Sequence, residues 1–440
     1  MFKEVLAFVA KMRRYLFNSG WIMLEKILSL GITFLVTLLV ARYLGPSQFG
    51  LLAYAMSLTA LFGVAGHAGL SGLVMRELVR NPDKIHEVLG TSLVMKAIGY
   101  LVGIALVLIF TFSTEELGSD GFYILIILSF TMLLKPFDVI DFWFTSQLKS
   151  KFNTYAKVSA MLIVAGLKVL FVYMGAHILY FALANTLQVV LASVLLIVLY
   201  QHKSKLSLFS WQASRKRAQQ LFSEGWMVFL GSIFAIIYLK TDQVMLKWLV
   251  GTEEVGIYAV AAILSEAWYF VPVAIVTSFF PKLINMQKQN DPRYAPSMQQ
   301  LYDVLFLIAV SIAILVTLFA GPIISSLFGS DYAGSADILI IHIWAGLFIF
   351  MRAAFSKWIL IEKLVVFSLV TQGLGAFVNV GLNLYLIPRF GGEGAAYATI
   401  ISYAVASYFS LCVHQKTRPA FFMMSKAMVS PIRLLLNMAK

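Results

Sequence analysis

Twelve apolar stretches of about 20 residues each constrain this chain more than any other feature of its sequence. A stretch of that length crosses the hydrocarbon layer of a bilayer as an α-helix, because a helix satisfies its own backbone hydrogen bonds. We therefore predict an all-α polytopic membrane protein. Its predicted spans, numbered 1 to 12, lie near residues 21–41, 51–73, 88–112, 121–145, 155–175, 177–200, 225–249, 256–280, 301–320, 336–358, 364–386 and 394–413.

The basic residues are distributed asymmetrically between the two sets of loops. Loops on one side hold 25 lysines and arginines, whereas the alternate loops hold only Arg42, Lys247 and Arg389. Positive charge collects on the cytoplasmic side of membrane proteins, so we predict that both termini are cytoplasmic. The same rule accounts for most of the net charge of +13, and we predict no nucleic-acid partner.

The longest polar connection lies near the middle of the chain and divides it into two halves. We predict an N-terminal lobe at 1–200, a cytoplasmic linker at 201–224 and a C-terminal lobe at 225–413. Within the linker, the basic segment 214–222 is typical of a surface helix at the lipid headgroups. The basic tail at 414–440 is also expected on the inner membrane surface.

A short turn between spans 1 and 2 is repeated 206 residues later, between spans 7 and 8. This shift places Gly45 on Gly251 and Gly50 on Gly256. Because six spans separate the two copies, the repeat keeps its direction across the membrane. It predicts two pseudosymmetric six-helix lobes, an arrangement found in transporters.

The same shift places Gly66 in span 2 on Pro272 in span 8. Both residue types bend transmembrane helices, and interrupted helices at matching positions indicate a transport pathway. The alternative is that glycine and proline are simply common in membrane helices.

Ionisable residues inside the predicted spans are the candidate functional groups. Each costs at least about 2.5–3.5 kcal/mol to insert, so it normally faces a partner or a wet cavity. Four of them are shallow enough to reach the headgroups instead: Glu25, Lys26, Asp141 and Arg352. The others are Lys96, Lys135, Asp138, Lys168, Lys240, Asp242 and Glu266.

The buried lysines favour a cavity that accepts phosphate, which a lysine binds as a point charge. The alternative is ion pairing between helices, and Lys135 and Asp138 are spaced to pair on one helix face. Lys96 and Lys168 have no acid within a turn of their own spans, so each needs a partner from another helix or an anionic ligand. We predict as substrate-binding cations Lys26, Lys96, Lys135, Lys168 and Arg352.

The buried acids are candidates for ion coupling. A carboxylate such as Asp242 or Glu266 can exchange a proton or hold sodium during a conformational cycle. We include Asp138 and Lys240 in this group, with a static Lys240–Asp242 contact as the alternative.

Signatures of catalysis and of nucleotide binding are missing from the sequence. The six histidines are scattered, and there is no phosphate-binding loop or nucleophile elbow. We therefore expect a secondary transporter and not an enzyme, with no cofactor. Coupling to H⁺, Na⁺ or the membrane potential is expected.

Several turn motifs resemble those of the oligosaccharide flippases, the O-antigen and capsule repeat-unit translocases of the multidrug/oligosaccharidyl-lipid/polysaccharide exporter superfamily. The resemblance rests on Ala41–Gly50, Tyr54–Leu58, Thr241–Leu246, Leu327–Ala333 and Leu386–Thr399, and it extends over essentially the whole chain.

The resemblance implies two lobes around a central cavity that opens to each side in turn. It implies a flippase that moves undecaprenyl-diphosphate-linked oligosaccharide from the inner to the outer leaflet of the bacterial inner membrane. Membrane lipids, and polymerase and chain-length proteins of the pathway, would be its partners. The alternatives are a cation-coupled multidrug antiporter of the same superfamily and a membrane glycan polymerase or ligase.

Overall fold

The computed structural model describes residues 2–67, 69–204, 207–362, 364–431 and 433, and this part of the chain contains helices and no strand. In the first half the α-helices are Phe2–Gly63, Ser71–Arg80, Ile85–Thr114, Asp120–Ser129, Thr131–Leu134, Val139–Ser146, Lys151–Tyr173 and Ile178–Ser204. In the second half they are Arg215–Leu249, Thr252–Glu266, Phe270–Lys288, Tyr294–Leu327, Ser335–His342, Ala345–Ile361, Val365–Ala404, Ser410–Val413 and Arg418–Met428.

Ten helical segments of the described chain are long and apolar enough to cross a membrane. Two of them, Phe17–Arg80 and Val366–Val413, each contain two predicted spans. The paired spans are separated by a glycine with a non-helical backbone, Gly45 in the first segment and Gly391 in the second. The twelve predicted spans and the all-α membrane fold are therefore confirmed.

The chain forms two compact units. Unit 1 comprises the residues up to Leu44 and Ala55–Ile233, and unit 2 comprises Gly45–Tyr54 and the residues from Phe234 onward. The boundary lies inside span 7, after the predicted linker. The turn between spans 1 and 2 belongs to unit 2 although its flanking helices belong to unit 1.

Each unit has its own apolar core, formed where helices pack too closely for lipid to enter. The core of unit 1 includes Leu70, Val74, Leu89, Ile140, Phe144, Leu196 and Tyr200. The core of unit 2 includes Tyr302, Leu305, Phe350, Met351, Phe355, Leu411 and Met424.

Spans 2 and 8 are both interrupted, which confirms the prediction made from Gly66 and Pro272. Span 2 is broken by a 3₁₀ turn at Val64–Gly66, and span 8 is broken between Glu266 and Phe270. Pro272 lies in the first turn of the second part of span 8, where the missing N–H of proline has no helical partner to lose.

Both repeated turns place a glycine at positive φ. Gly45 has a φ of 68° and Gly251 a φ of 136°, values that residues with a side chain rarely adopt. A glycine with positive φ occurs in each of the predicted outside turns, the other four being Gly118, Gly175, Gly329 and Gly391.

Within unit 2 the two repeated turns pack against each other reciprocally. A Cβ atom added to Gly50 would overlap the carbonyl of Thr252, and one added to Gly256 would overlap the carbonyl of Pro46. Because Thr252 is the counterpart of Pro46 in the 206-residue register, the two contacts are equivalent. The glycines therefore allow a backbone contact that repeats the symmetry of the sequence.

The segment 214–222, predicted as a surface helix, does not form a helix of its own. These residues form the start of the helix Arg215–Leu249, which continues as span 7. The Arg217 guanidinium donates to the carboxylate of Glu77 at 3.0 Å, and both side chains are buried. The basic segment belongs to unit 1, and its Arg217 pairs there with a carboxylate that lies 140 residues earlier in the chain.

The tail also differs from its prediction as a membrane-surface segment. The helix Arg418–Met428 buries Ala420, Met424 and Ala427 in the core of unit 2. These small and flexible side chains recur at helical spacing, so they pack against a neighbouring helix. The end of the predicted tail, residues 434–440, lies outside the described residues.

Candidate functional site

The break in span 4 holds an ion pair in unit 1 between a buried lysine and a partly exposed aspartate. Pro136 lacks a backbone N–H, and the chain forms a 3₁₀ turn at Lys135–Asp138. Lys96, on span 3, is 1% exposed, and its Nζ atom lies 3.0 Å from Oδ1 of Asp138. The alternative in which Lys135 pairs with Asp138 is not found among the described residues, and Lys96 finds its partner on another helix.

Lys135 remains the cation of this group without a carboxylate of its own. It makes no hydrogen bond or ion pair among the described residues, although Asp138 and Lys96 lie close enough to interact with its charge. His67, which follows the 3₁₀ turn of span 2, lies within electrostatic range of both lysines. The breaks of spans 2 and 4 thus border a group with two lysines and one carboxylate, whose excess positive charge favours an anion.

Lys168 occupies a second cationic position in unit 1. Its Nζ donates to Oδ1 of Asn185 at 2.6 Å, and it forms no ion pair among the described residues. A neutral amide leaves the lysine charge uncompensated. Lys168 therefore has no acidic partner in its own span, as predicted, and none in the neighbouring helices that the structure describes.

The other two predicted cations differ in their surroundings. Lys26 is exposed on span 1, as expected for a side chain that reaches the headgroups. Arg352 lies in unit 2 and donates to the carbonyl of Ala406 at 2.8 Å. Ala406 belongs to a π-helical turn at Val405–Phe409, and such turns are frequent at functional sites.

Asp242 is the centre of a hydrogen-bonded cage in unit 2 and is 3% exposed. Its Oδ2 accepts hydrogen bonds from Tyr258 Oη at 2.8 Å and from Thr399 Oγ1 at 2.6 Å. Its Oδ1 accepts one from Asn383 Nδ2 at 2.6 Å. The carboxylate is therefore surrounded by neutral polar groups from three other predicted spans, all of which carry oxygen atoms that can bind a cation.

The alternative of a static Lys240–Asp242 contact is not found in the described structure. Lys240 lies within electrostatic range of Glu266. The Glu266 carboxylate forms no hydrogen bond or ion pair among the described residues. Of the predicted coupling acids, Asp242 is held in a cage, Asp138 is paired with Lys96, and Glu266 is without a close partner.

The sequence-based prediction found Asp242 but missed the residues that bind it. One signal was available in span 11, where Asn379 and Asn383 stand four residues apart and so share a helix face. Asn383 donates to Asn379 at 3.1 Å as well as to Asp242. Two amides on one face of an apolar span predict a polar site, but not which carboxylate it contacts.

Comparison with known proteins shows the family of the chain. Residues 16–287 match the family model described as polysaccharide biosynthesis protein. The chain belongs to this family. A predicted O-antigen transporter of Shigella flexneri is 24% identical over 305 residues, which cover 67% of this chain and 72% of that protein. A predicted low-salt glycan biosynthesis flippase of Haloferax volcanii is 23% identical over 414 residues, covering 88% and 81%.

Solved structures share the fold. The lipid II flippase MurJ, in an inward closed conformation, aligns with a TM-score of 0.69 at 14% identity, covering 96% of this chain and 93% of that one. An inward-facing multidrug resistance transporter of the MATE family aligns with a TM-score of 0.62 at 13% identity, covering 91% and 95%. The predicted resemblance is confirmed at the level of the family: the chain is a multi-pass membrane protein of the polysaccharide biosynthesis family, similar to proteins named as an O-antigen transporter and a glycan flippase.

Proposed function

We propose that the protein moves undecaprenyl-diphosphate-linked oligosaccharide repeat units from the inner to the outer leaflet of the bacterial cytoplasmic membrane by alternating access. The repeat units would serve the synthesis of O antigen, capsule or exopolysaccharide. The observation that carries the proposal is Lys135, a cation without a carboxylate partner among the described residues, at the breaks of two spans in a family of polysaccharide biosynthesis proteins.

In this proposal the diphosphate of the lipid binds at Lys135. Lys96 is already paired with Asp138, so its role is to hold that carboxylate and leave Lys135 to the ligand. Lys168 provides a second cationic contact along the path. A lysine that meets phosphate as a point charge suits a group that must bind and then leave.

We propose that a coupling cation binds at Asp242. The carboxylate, the Thr399 hydroxyl and the two asparagine amides offer the oxygen ligands that hard cations prefer. Binding of the cation would compensate the negative charge of Asp242, which is otherwise buried among neutral groups. Release of the cation would leave that charge stabilised only by the hydrogen bonds that it accepts. A cycle of this kind links an ion gradient to a conformational change.

An experiment in cells tests the transport proposal. In a strain lacking the protein, we expect lipid-linked repeat units to accumulate on the inner leaflet, where periodate added outside cannot oxidise them. A plasmid copy restores their exposure, and a copy with Lys135→Ala does so at least about tenfold more slowly, since a charge-assisted contact is lost. Lys288→Ala, at the exposed end of the helix Phe270–Lys288, is the matched control. Normal exposure of repeat units without the protein contradicts the proposal.

The rival function is cation-coupled export of small organic cations, which the shared fold with the multidrug transporter supports. A cavity for organic cations favours acids, whereas unit 1 offers lysines. Ethidium efflux that requires Asp242 but not Lys135 would favour the rival. A glycan polymerase or ligase would instead yield new glycan product from the purified protein.

A further inference from the structure

The break in span 8 carries polar side chains that neither the lysine group nor the Asp242 cage uses. The helix ends at Glu266 and resumes at Phe270. Across the gap the backbone forms tighter turns, in which Tyr269 N donates to the carbonyl of Glu266 at 3.0 Å and Val271 N to that of Trp268 at 3.0 Å. Non-helical backbone within a membrane is tolerated where it is enclosed by protein or lines a wet cavity.

Three polar groups at this break lack a hydrogen-bond partner among the described residues. The hydroxyls of Ser265 and Tyr269 are buried neighbours, yet neither makes a well-formed hydrogen bond. Between them in sequence, the Glu266 carboxylate has neither a hydrogen bond nor an ion pair in the described structure. Two of these groups are hydroxyls whose oxygen atoms are buried, and an unsatisfied buried polar group is costly. The two hydroxyls beside an unpaired carboxylate indicate that another molecule completes their bonding.

Aromatic side chains lie beside these groups. Tyr238 and Tyr403 meet edge to face with ring centroids 5.1 Å apart. Both tyrosines lie within electrostatic range of Tyr269, and Tyr403 also lies within range of Glu266. Unit 2 therefore combines one carboxylate, several hydroxyls and two tyrosine rings around the break in span 8.

By contrast, Tyr302 shows that an unpartnered hydroxyl alone does not make a site. Its Oη is also buried without a hydrogen-bond partner in the described structure, but it lies in the apolar core of unit 2. Its helix, Tyr294–Leu327, is unbroken there. What distinguishes the break in span 8 is the combination of hydroxyls, carboxylate and rings.

We propose that Ser265, Glu266 and Tyr269 form a binding site for a sugar ring of the transported lipid, a proposal that rests on the function proposed above. The carboxylate accepts hydrogen bonds from sugar hydroxyls, and the two protein hydroxyls donate or accept as the ring requires. Tyr238 and Tyr403 supply the apolar surface against which the C–H face of a sugar packs. The negative charge of Glu266 disfavours the diphosphate here, so the site separates sugar recognition from phosphate recognition.

Purified protein in vesicles tests this site with two fluorescent probes, a polyprenyl diphosphate carrying a trisaccharide and the same lipid without sugar. We expect Tyr269→Phe and Glu266→Ala to slow movement of the trisaccharide lipid about tenfold, because polar groups of the sugar lose their partners. Movement of the sugar-free lipid should stay within about twofold of wild type. Glu266→Gln should retain most of the trisaccharide rate, because an amide still bonds to hydroxyls.

Tyr302→Phe is the matched control and should leave both rates unchanged. The proposal is overturned if Tyr269→Phe has no effect, or if the variants slow both probes equally. It is also overturned if Glu266→Gln is as inactive as Glu266→Ala, since a coupling acid requires its charge. Failure of wild-type protein to move either probe would instead refute the transport function itself, which keeps the two failures distinct.

Discussion

Substitution of Asp242 separates the structural role of its cage from its proposed role in ion binding. The carboxylate accepts three buried hydrogen bonds of 2.6–2.8 Å. Asp242→Ala leaves three donors without their acceptor, each costing about 1–3 kcal/mol. Because the Tyr258 and Thr399 hydroxyls can rotate toward other acceptors, we expect the free energy of unfolding to fall by about 3–5 kcal/mol in total. This is the range typical of a broken buried ion pair. Asp242→Asn keeps one acceptor oxygen and should lose about 1–2 kcal/mol.

Thermal unfolding of the purified protein in detergent measures both effects. Without sodium, the midpoints should fall in the order wild type, Asp242→Asn, Asp242→Ala. Sodium at 100 times its dissociation constant should stabilise wild type by about 2.7 kcal/mol and should not stabilise Asp242→Asn. Glu266→Gln, which removes a carboxylate of unit 2 outside the cage, is the matched control and should keep the sodium effect.

Two results would refute this reasoning. If sodium stabilises Asp242→Asn as much as wild type, the cation does not bind at the cage. If Asp242→Ala melts at the wild-type temperature, the hydrogen bonds contribute nothing to the fold. Coupling to protons gives a third pattern, in which sodium has no effect on wild type and a pH gradient accelerates transport in wild type but not in Asp242→Asn.

Three further predictions concern the packing of the two units. Glu77→Gln removes the nearer carboxylate of the buried Arg217 and leaves it the longer contact with Glu87 at 3.6 Å. Stability in thermal unfolding should therefore fall by about 1–3 kcal/mol, and exchanging Glu77 and Arg217 should recover part of that loss. Gly256→Ala should lower stability by about 1–3 kcal/mol because the added methyl group meets the backbone of Pro46. Gly321→Ala, with open space around it, should leave stability unchanged. Equal melting temperatures of the Gly256→Ala variant and wild type would contradict the reciprocal turn contact. Lys96→Ala should lower the yield of folded protein in size-exclusion chromatography, and full yield would show that the Lys96–Asp138 ion pair is dispensable.

The sequence predicted those features that depend on local pattern. Span length follows from the thickness of the bilayer, so the twelve spans were found with their order. The breaks of spans 2 and 8 were predicted from Gly66 and Pro272, because these residue types act on their own helix. The turn glycines were identified for the same reason.

Features that depend on which helix faces meet could not be predicted. The spacing of Lys135 and Asp138 offers a pair on one helix face as an alternative, but Asp138 pairs with Lys96 from span 3. Arg217 was placed at the headgroups because its acid, Glu77, is distant in the chain. The cage of Asp242 contains residues from three other predicted spans. The sequence does not distinguish them from other polar residues, because they meet only when the helices pack. The sequence marks a buried charge as costly without indicating what compensates it.

The most direct test of the proposed function is the rate at which purified protein carries a lipid-linked sugar across a bilayer. Vesicles are loaded with polyprenyl diphosphate carrying a fluorescent trisaccharide, and a membrane-impermeant quencher reports the fraction on the outer leaflet. We expect wild-type protein to expose the inner-leaflet pool many times faster than empty vesicles, and Lys135→Ala to lose most of that gain. A wild-type rate equal to that of empty vesicles, under gradients of sodium, protons or membrane potential, would contradict the proposal that this protein is a flippase for lipid-linked oligosaccharides.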